Sequence, residues 1–390
     1  MKTSFLYITA TIVFLLGSIV SFDKKNPKQM IMTTNKIGEV TICLGGTKTV
    51  TIDWGDGCTI TDTLSEFIDY EYFRRKQSYT FTYKNNFPHT IIITGENVTH
   101  LDCHLNYLTS LDVSNNTALA YLDCKVNREL TNLNLSKNTA LTYLDCSGTA
   151  LTSLGLSKNT VLTYLDCDAT ALTSLDLSKN TTLTKLYCQH NQLTNLDVSK
   201  NTALDFLYCH GNKITSLDTR NNTSLIRLYC NNNLLTSLDV SNNTVLTELG
   251  CNENQLTNLD VRKNVALISL YCQKNQLTSL YLSKNTMLNE LNCSSNQLTS
   301  LDLGKNTALM YLNCGNNQLT SLDVSENIAL IFLGFQFNKL SVKELNDIFK
   351  TLHNNVISGV PQSIYISNNL GTSDCDQSIA TSKGWRVYSD

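Results

Sequence analysis

Eleven cysteines stand at a near-constant interval: Cys103, Cys124, Cys146, Cys167, Cys188, Cys209, Cys230, Cys251, Cys272, Cys293 and Cys314. Successive members are 21 residues apart, save one gap of 22 between Cys124 and Cys146. A period this strict leaves few folds open, because residues in the same phase must meet the same environment in unit after unit. A disulfide framework is not among them. In stacked coils the thiols would form a column with about 4.8 Å between neighbours, and their parallel Cβ vectors would not permit a bridge. They are expected to act as small buried hydrophobes, and no metal ladder is expected of them. Cys43, Cys58 and Cys375 fall outside the column, and spacing does not pair them.

The cysteines mark one position in a longer unit. Eleven units start at Leu108, Leu130, Leu151, Leu172, Leu193, Ile214, Leu235, Leu256, Leu277, Leu298 and Leu319, and run to Lys339, with a half unit from Val98 to Tyr107 leading in. A representative unit reads LTSLDLSKN followed by TT and then LTKLYCQHNQ, from Leu172 to Gln192. The same spacing of apolar residues and a closing Asn thus occurs twice per unit. Two short alternating segments predict two strands per coil. One coil cannot bury its apolar side alone, whereas stacked coils bury a continuous one, so the array is expected to be a solenoid. Its expected length is about 53 Å, from a rise of about 4.8 Å per coil.

Asparagine recurs at both ends of the unit. Asn116, Asn138, Asn159, Asn180, Asn201, Asn222, Asn243, Asn264, Asn285, Asn306 and Asn327 mark one corner, and Asn191, Asn212, Asn233, Asn254, Asn275, Asn296, Asn317 and Asn338 the other. An inward Asn at a bend can satisfy backbone groups that no strand partner reaches, and stacked amides can also bond to one another. Thr149 and Thr170 replace Asn early in the second column, so that corner is expected to be less regular there.

The doubled pattern resembles the nested 21-residue leucine-rich repeats of secreted and surface bacterial proteins, over about three fifths of the chain. The resemblance implies an extracytoplasmic binding or adhesion role and names no ligand. Upstream, Trp54-Gly-Asp-Gly57, Tyr79-Thr-Phe-Thr-Tyr83 and Thr90-Ile-Ile-Ile-Thr94 are similar to a PKD-like, immunoglobulin-type β-sandwich, expected here mainly as a cap. Downstream, Ser341-Val-Lys-Glu344 is a capping box that opens an amphipathic helix through Leu345, Ile348, Phe349 and Leu352. Ser363-Ile-Tyr-Ile-Ser367 reads as one more strand. The segments around Asp374-Cys-Asp376 and Lys383-Gly-Trp385 resemble the C-terminal caps of such arrays. The expected fold is therefore mainly β: a leucine-rich-repeat solenoid with two short parallel strands per coil, an N-terminal β-sandwich-like cap and a C-terminal helix-plus-strand cap. The expected division is 1–22 leader, 23–37 linker, 38–97 β-domain, 98–339 solenoid and 340–390 cap.

Composition narrows the function. Apolar residues make up 42 % and charged residues 16 %, enough for a large core and too little charge for a disordered chain. Thirty basic against 33 acidic residues leave no electrostatic footprint for nucleic acid. Lys2 and the apolar run from Phe5 to Phe22 read as a secretory signal or a retained membrane anchor, the one membrane contact expected. No nucleophile–base pair, phosphate loop or dinucleotide glycine pattern occurs. The cluster His100, Cys103 and His104 does not converge, because alternate strand residues point to opposite faces. No enzyme activity, cofactor or metal is therefore expected.

Two outward faces differ between units. On the first segment the outward residue is nearly fixed as Asp112, Asp176, Asp197, Asp218, Asp239, Asp260, Asp302 and Asp323, with Lys three positions on in most units. That pattern reads as a solvated face with lateral charge pairs, the competing reading being cation binding along the column. The second segment instead carries aromatics among variable charges: Tyr121, Tyr143, Tyr164, Tyr187, Phe206, Tyr208, Tyr229, Tyr271, Tyr311 and Phe332, beside Asp123, Asp145, Asp166, Lys185, Arg227, Glu248 and Glu290. Cross-strand packing alone could account for such a column, but aromatics mixed with charge are also the composition of recognition surfaces. The expected function is extracytoplasmic binding of a protein or glycan through this aromatic face, centred on Tyr187, Phe206, Tyr208 and Tyr229. A passive envelope element, or a noncatalytic subunit that targets a partner enzyme, would have the same repeats.

Overall fold

The computed structural model describes residues 28–65, 69–70, 73–74, 77–354 and 361–390. The apolar run from Phe5 to Phe22 lies outside them. The N-terminal strands are β1 (Gln29–Thr34), β2 (Gly38–Gly46), β3 (Lys48–Asp53), β4 (Thr59–Leu64), β5 (Asp69–Tyr70), β6 (Phe73–Arg74), β7 (Gln77–Tyr83) and β8 (His89–Gly95). Then come β9 (Val98–Asp102) and β10 (Leu108–Asp112). One three-residue strand follows in each coil, from β11 (Tyr121–Asp123) to β21 (Phe332–Gly334). Helix α1 (Val342–Thr351), strand β22 (Ser363–Tyr365), helix α2 (Ser378–Thr381) and strand β23 (Arg386–Tyr388) close the chain.

The mainly β solenoid expected from the repeat is what forms, with about 13 turns. Strands β9, β11 to β22 and β23 pair in parallel, each Leu of one coil beside the Leu of the next as far as Leu333, with Ile364 and Val387 continuing the row. One detail differs from the reading of two strands per coil. After β10, the LTSLDL segments form no ladder strand. Their ends are occupied locally: Ser178 N–H donates to Asp176 Oδ1 at 2.9 Å and Asn180 N–H to Leu177 O at 3.0 Å. Only β10 acquires a partner, because β1 lies antiparallel beside it.

The N-terminal strands seal this edge. β2 pairs antiparallel with β9, so the coil sheet continues through β2 to β7, a 16-stranded sheet in all. The other sheet has five strands in the order β10-β1-β8-β3-β4. The two sheets thus flank the first coil, and the unpaired edge of a parallel array is covered. Strand β1 falls within the stretch read as a linker. Met30 and Met32 on β1 are fully buried, and these alternating apolar residues are what tie that stretch to the core. Trp54 is also fully buried, and Tyr83 Oη donates to its carbonyl at 2.6 Å.

Inside the solenoid every ladder cysteine is fully buried, and all 14 cysteines are free thiols. The asparagines do the bridging. Asn201 Nδ2 donates to Leu177 O at 3.1 Å and Asn180 O at 2.8 Å, both in the preceding coil. At the other corner Asn233 Nδ2 reaches Cys209 O at 3.1 Å and Cys230 O at 3.0 Å, while its Oδ1 accepts from Ile214 N–H at 2.9 Å. The amides therefore bond backbone across coils rather than one another. The second column also extends to Asn106, Asn127 and Asn369. At Thr149 and Thr170 a hydroxyl replaces the amide, reaching Cys146 O at 2.7 Å and Cys167 O at 3.1 Å.

Just before this corner, each coil places one residue in the left-handed region, two positions after the ladder residue. Leu105 (φ 57°), Val126 (56°), His190 (50°), Glu253 (55°) and Phe337 (55°) are among them, with Gly only at 148 and 211. Each side chain there costs backbone energy that the array tolerates.

At the C-terminus Phe335 takes the ladder position, fully buried, and Ile366 takes the next. Helix α1 is capped by Ser341 and buries Leu345, Ile348 and Phe349. Trp385 Nε1 donates to His353 O at 3.0 Å, tying the last strand to the end of the helix segment. Among the described residues no helix is long and apolar enough to cross a membrane.

Two substitutions test this account. Asn201→Ala should destabilise the chain by about 2–4 kcal/mol, two buried carbonyls losing their donor at about 1–2 kcal/mol each. Val126→Gly should instead stabilise it by about 0.5 kcal/mol, since relief of left-handed strain exceeds the entropy lost with glycine. Urea unfolding against the parent chain measures both.

Candidate binding face

Each coil strand has an inward Leu between two outward residues, so three residues suffice to fix which side chains face out. The burial pattern of β15 (Phe206–Tyr208) shows this: Leu207 is buried and its two neighbours half-exposed. The outward residues form two columns, one beginning Tyr121, Tyr143, Tyr164 and the other ending its first run at Tyr187, Tyr208, Tyr229.

The tyrosines form a continuous stack. Ring centroids lie 4.2 Å apart for Tyr121 and Tyr143 and 4.3 Å for Tyr143 and Tyr164. The stack then steps to the other column, with 5.5 Å from Tyr164 to Tyr187, and resumes at 5.0 Å to Tyr208 and 4.9 Å to Tyr229. It ends at Gly250, where a Cβ would stand 2.6 Å from the Tyr229 ring. Cross-coil packing is therefore real: it buries Tyr121, only 5 % exposed, and leaves the other rings of the stack half-buried, while Tyr311, beyond the stack, reaches 42 %. Tyr271 and Phe332 stand apart from the six-membered run, and Phe332 meets Tyr365 at 5.2 Å.

Charge surrounds the stack in zones. Phe206 lies beside Tyr208 in the other column, with Lys185 Nζ 5.3 Å and Arg227 Cζ 5.1 Å from its ring centre. Arg227 Nε pairs with Glu248 at 3.0 Å, and Tyr229 Oη donates to the same carboxylate at 2.8 Å. Tyr271 Oη donates to Glu290 at 2.6 Å, and burial with this carboxylate pushes its phenol up to about 12. The sequence reading thus placed Tyr187, Phe206, Tyr208 and Tyr229 together, and they are adjacent.

It also put Asp123, Asp145 and Asp166 among the outward residues, and missed only Asp102 at the head of their row. Asp102, Asp123, Asp145 and Asp166 each precede a ladder cysteine, a signal visible as four LDC triplets. Asp102, Asp123 and Asp145 are buried. His104 Nδ1 lies on Asp102 Oδ1 at 2.5 Å. Lys125 Nζ lies between Asp123 Oδ2 at 2.9 Å and Asp145 Oδ2 at 3.0 Å. Desolvation pushes the Asp123 carboxyl up, and pushes Asp166 up to about 7 with help from Asp145 and Asp168. The carboxylates nearby hold Lys125 above its ordinary value against the opposing effect of burial.

Among the described residues Asp102, His104 and Asp123 form the grouping with metal-ligating chemistry, their ligand atoms within 4.8 Å of one another. Lys125 already supplies positive charge at Asp123. Cys103 points into the core and is not part of the group.

The first-segment aspartates prove to be turn residues. Asp112, Asp176, Asp197, Asp218, Asp239, Asp260, Asp302 and Asp323 each accept the backbone N–H two residues on. That bond lowers the carboxyl at Asp176, Asp197, Asp239 and Asp323. Ion pairs arise within the turn, from Arg220 to Asp218 and Arg262 to Asp260, both at 2.7 Å. Turn geometry therefore fixes the column, and Lys179, Lys200 and Lys263 add a smaller attraction at Asp176, Asp197 and Asp239.

No protein-family model matches the chain, and no curated protein does. Solved structures do. The chain is 36 % identical to the functional domain of InlJ from Listeria monocytogenes, described as including a cysteine ladder, with a TM-score of 0.59 over 70 % of this chain and 65 % of that one. It therefore spans just under two thirds of that domain. An internalin, InlF, from the same organism matches at 22 % identity and TM-score 0.67 over 75 % of this chain and 87 % of its own. A leucine-rich-repeat protein of Leptospira interrogans matches at 20 % and 0.57, over 71 % and 79 %. The structural neighbours are thus bacterial leucine-rich-repeat proteins of internalin type.

The raised carboxyl at Asp166 has a signed consequence. The folded group holds its proton up to about pH 7, whereas an unfolded Asp releases it near 4. Stability from this group is therefore greatest in acid and falls as pH rises through that window. Asp166→Asn should raise the melting temperature at pH 8 and leave it nearly unchanged at pH 4, measured by thermal unfolding at both.

Proposed function

We propose that this chain is a noncatalytic, extracytoplasmic binding protein that takes a protein or glycan ligand on the strand face. The observation that carries this is positional. Packing fixes the Leu and Cys positions, amide bridging fixes the Asn positions, and turn geometry fixes the Asp column. The first outward strand position answers to none of these, and the second does so only where it accepts a turn N–H, as at Asp123, Asp145 and Asp166; together they hold a six-ring tyrosine stack and charges grouped by sign. Rigid stacked aromatics lose little entropy on contact, and the Lys185–Phe206–Arg227 arrangement puts cations beside them.

The protein-interaction reading is supported by internalin-type neighbours, and the extracytoplasmic setting by the leader-like run from Phe5 to Phe22. The N-terminal strands serve on this reading as a PKD-like cap, which accords with β2 and β1 sealing the first coil. Among the described residues the strand face offers no enclosed substrate cleft, which favours a macromolecular ligand over a small one.

Replacing Tyr187, Phe206, Tyr208 and Tyr229 together by Ser should weaken binding to a ligand found on a glycan array or an extracellular protein panel by at least about tenfold, with circular dichroism unchanged. Unaltered affinity in a folded variant would refute the placement. Failure of the parent chain to bind either panel would favour the passive envelope element.

A further inference from the structure

The tyrosine stack closes the faces of its own rings. Tyr143 lies at 10° to Tyr121 and 11° to Tyr164, and Tyr208 at 13° to Tyr187 and 7° to Tyr229. Centroids 4.2–5.0 Å apart leave no room for a further ring between them. His100 stands against the outer side of Tyr121 at 5.6 Å. Phe206 is flanked likewise, by the Lys185 ammonium from the coil before and the Arg227 guanidinium from the coil after. What these coils turn outward is ring edges, the positive side of the aromatic quadrupole, together with hydroxyls and cations. A sugar that binds by laying its C–H face on an aromatic face finds none open among the inner rings.

The donors around Phe206 are short of acceptors. Among the described residues Lys185 has no ion-pair partner, and the hydroxyls of Tyr187 and Tyr208 donate to no acceptor. Arg227 Nε stands 3.0 Å from Glu248 Oε1 yet without hydrogen-bond geometry, a buried donor left unsatisfied. The Tyr208 oxygen does more than Glu248 to hold that guanidinium charged. Glu248 has its other oxygen on Tyr229 Oη at 2.8 Å, and it is the one acid among the outward strand residues from Lys185 to Gly250. The coils before carry Asp123, Asp145 and Asp166 in the column that continues as Tyr187, so an anion is repelled there and drawn to the coils around Phe206.

We propose that these coils are an interaction surface for an acidic segment of a protein partner, with one carboxylate on Lys185, a second on the terminal nitrogens of Arg227, and the hydroxyls of Tyr187 and Tyr208 donating between them. The two cations come from strands two coils apart, about 9.6 Å, too far for one carboxylate to bridge, so the segment must carry at least two acids. This rests on the strand face being the binding surface, and it selects a protein over a glycan there.

The probe is a short peptide of alternating glutamate and serine, titrated calorimetrically into the full chain at physiological ionic strength. Its glutamine counterpart and heparin serve as comparisons. The glutamate peptide should bind and the glutamine peptide should not. Lys185→Gln with Arg227→Gln, at two half-exposed side chains, should weaken peptide binding about tenfold, with urea unfolding unchanged. Arg220→Gln with Arg262→Gln removes the same charge from the turn column and should change it less than about twofold. No binding of the glutamate peptide, equal binding of the glutamine peptide, equal loss in both Gln variants, or binding of heparin with no binding of the peptide would each overturn the proposal. A panel ligand lost by the Ser variant of the Tyr187 cluster, yet held by the Lys185 and Arg227 variant as by the parent, would overturn this inference alone and leave the strand face as the binding surface.

Discussion

The solenoid depends on buried asparagine amides that span from coil to coil. A coil of this length turns sharply at its corners, where backbone carbonyls leave the sheet ladder and have no strand partner. Left buried and unpaired, each would cost about 1–3 kcal/mol. Asn201 answers two of them with one side chain, and Asn233 answers two carbonyls and one N–H. The same solution recurs along the array, so the stacking distance is set by hydrogen-bond geometry as well as by apolar packing. The free Oδ1 atoms of the first column show which half of the amide matters: only Asn243 has an Oδ1 partner there, the hydroxyl of Thr219 at 2.9 Å.

That constraint explains two features that otherwise look arbitrary. The left-handed residue precedes the bridging Asn, or the Thr at 149 and 170, and residues as unsuited as Val126 and Phe337 occupy it. The corner must close for the amide to reach its carbonyls, so the backbone conformation is imposed and side-chain preference yields. Cysteine fits the ladder position for a related reason. The site is fully enclosed between coils, and a small apolar side chain fills it; burial drives the thiols well above their ordinary value, for example at Cys188 and Cys209, so they are poor nucleophiles. Phe335 fills the same position only where the coils end and the helical cap begins.

Once the interior is settled in this way, the outward strand residues are the freedom the fold leaves. Their side chains stack at the strand spacing whatever their chemistry, which brings like next to like: six tyrosines in a run, four carboxylates in a row, and two cations about one phenylalanine. A parallel in-register array converts sequence repetition into surface zones, so a small change of composition between coils becomes a boundary on the face.

Period alone determined the stacked architecture, the buried thiols, the two asparagine corners and the adjacency of Tyr187, Tyr208 and Tyr229, because residues in phase must share an environment. The capping box at Ser341 was legible for the same local reason. Tertiary structure decided what phase cannot carry. It determined that the LTSLDL segments stay outside the ladder and that their aspartates serve turns, since that rests on which backbone groups find partners. It drew residues 29–34 into a strand, since β8 and the exposed edge at β10 offer them partners on both sides. And it set Lys125 across two carboxylates while leaving the next pair to a serine and a third acid, because pairing between coils depends on distances that no single unit contains.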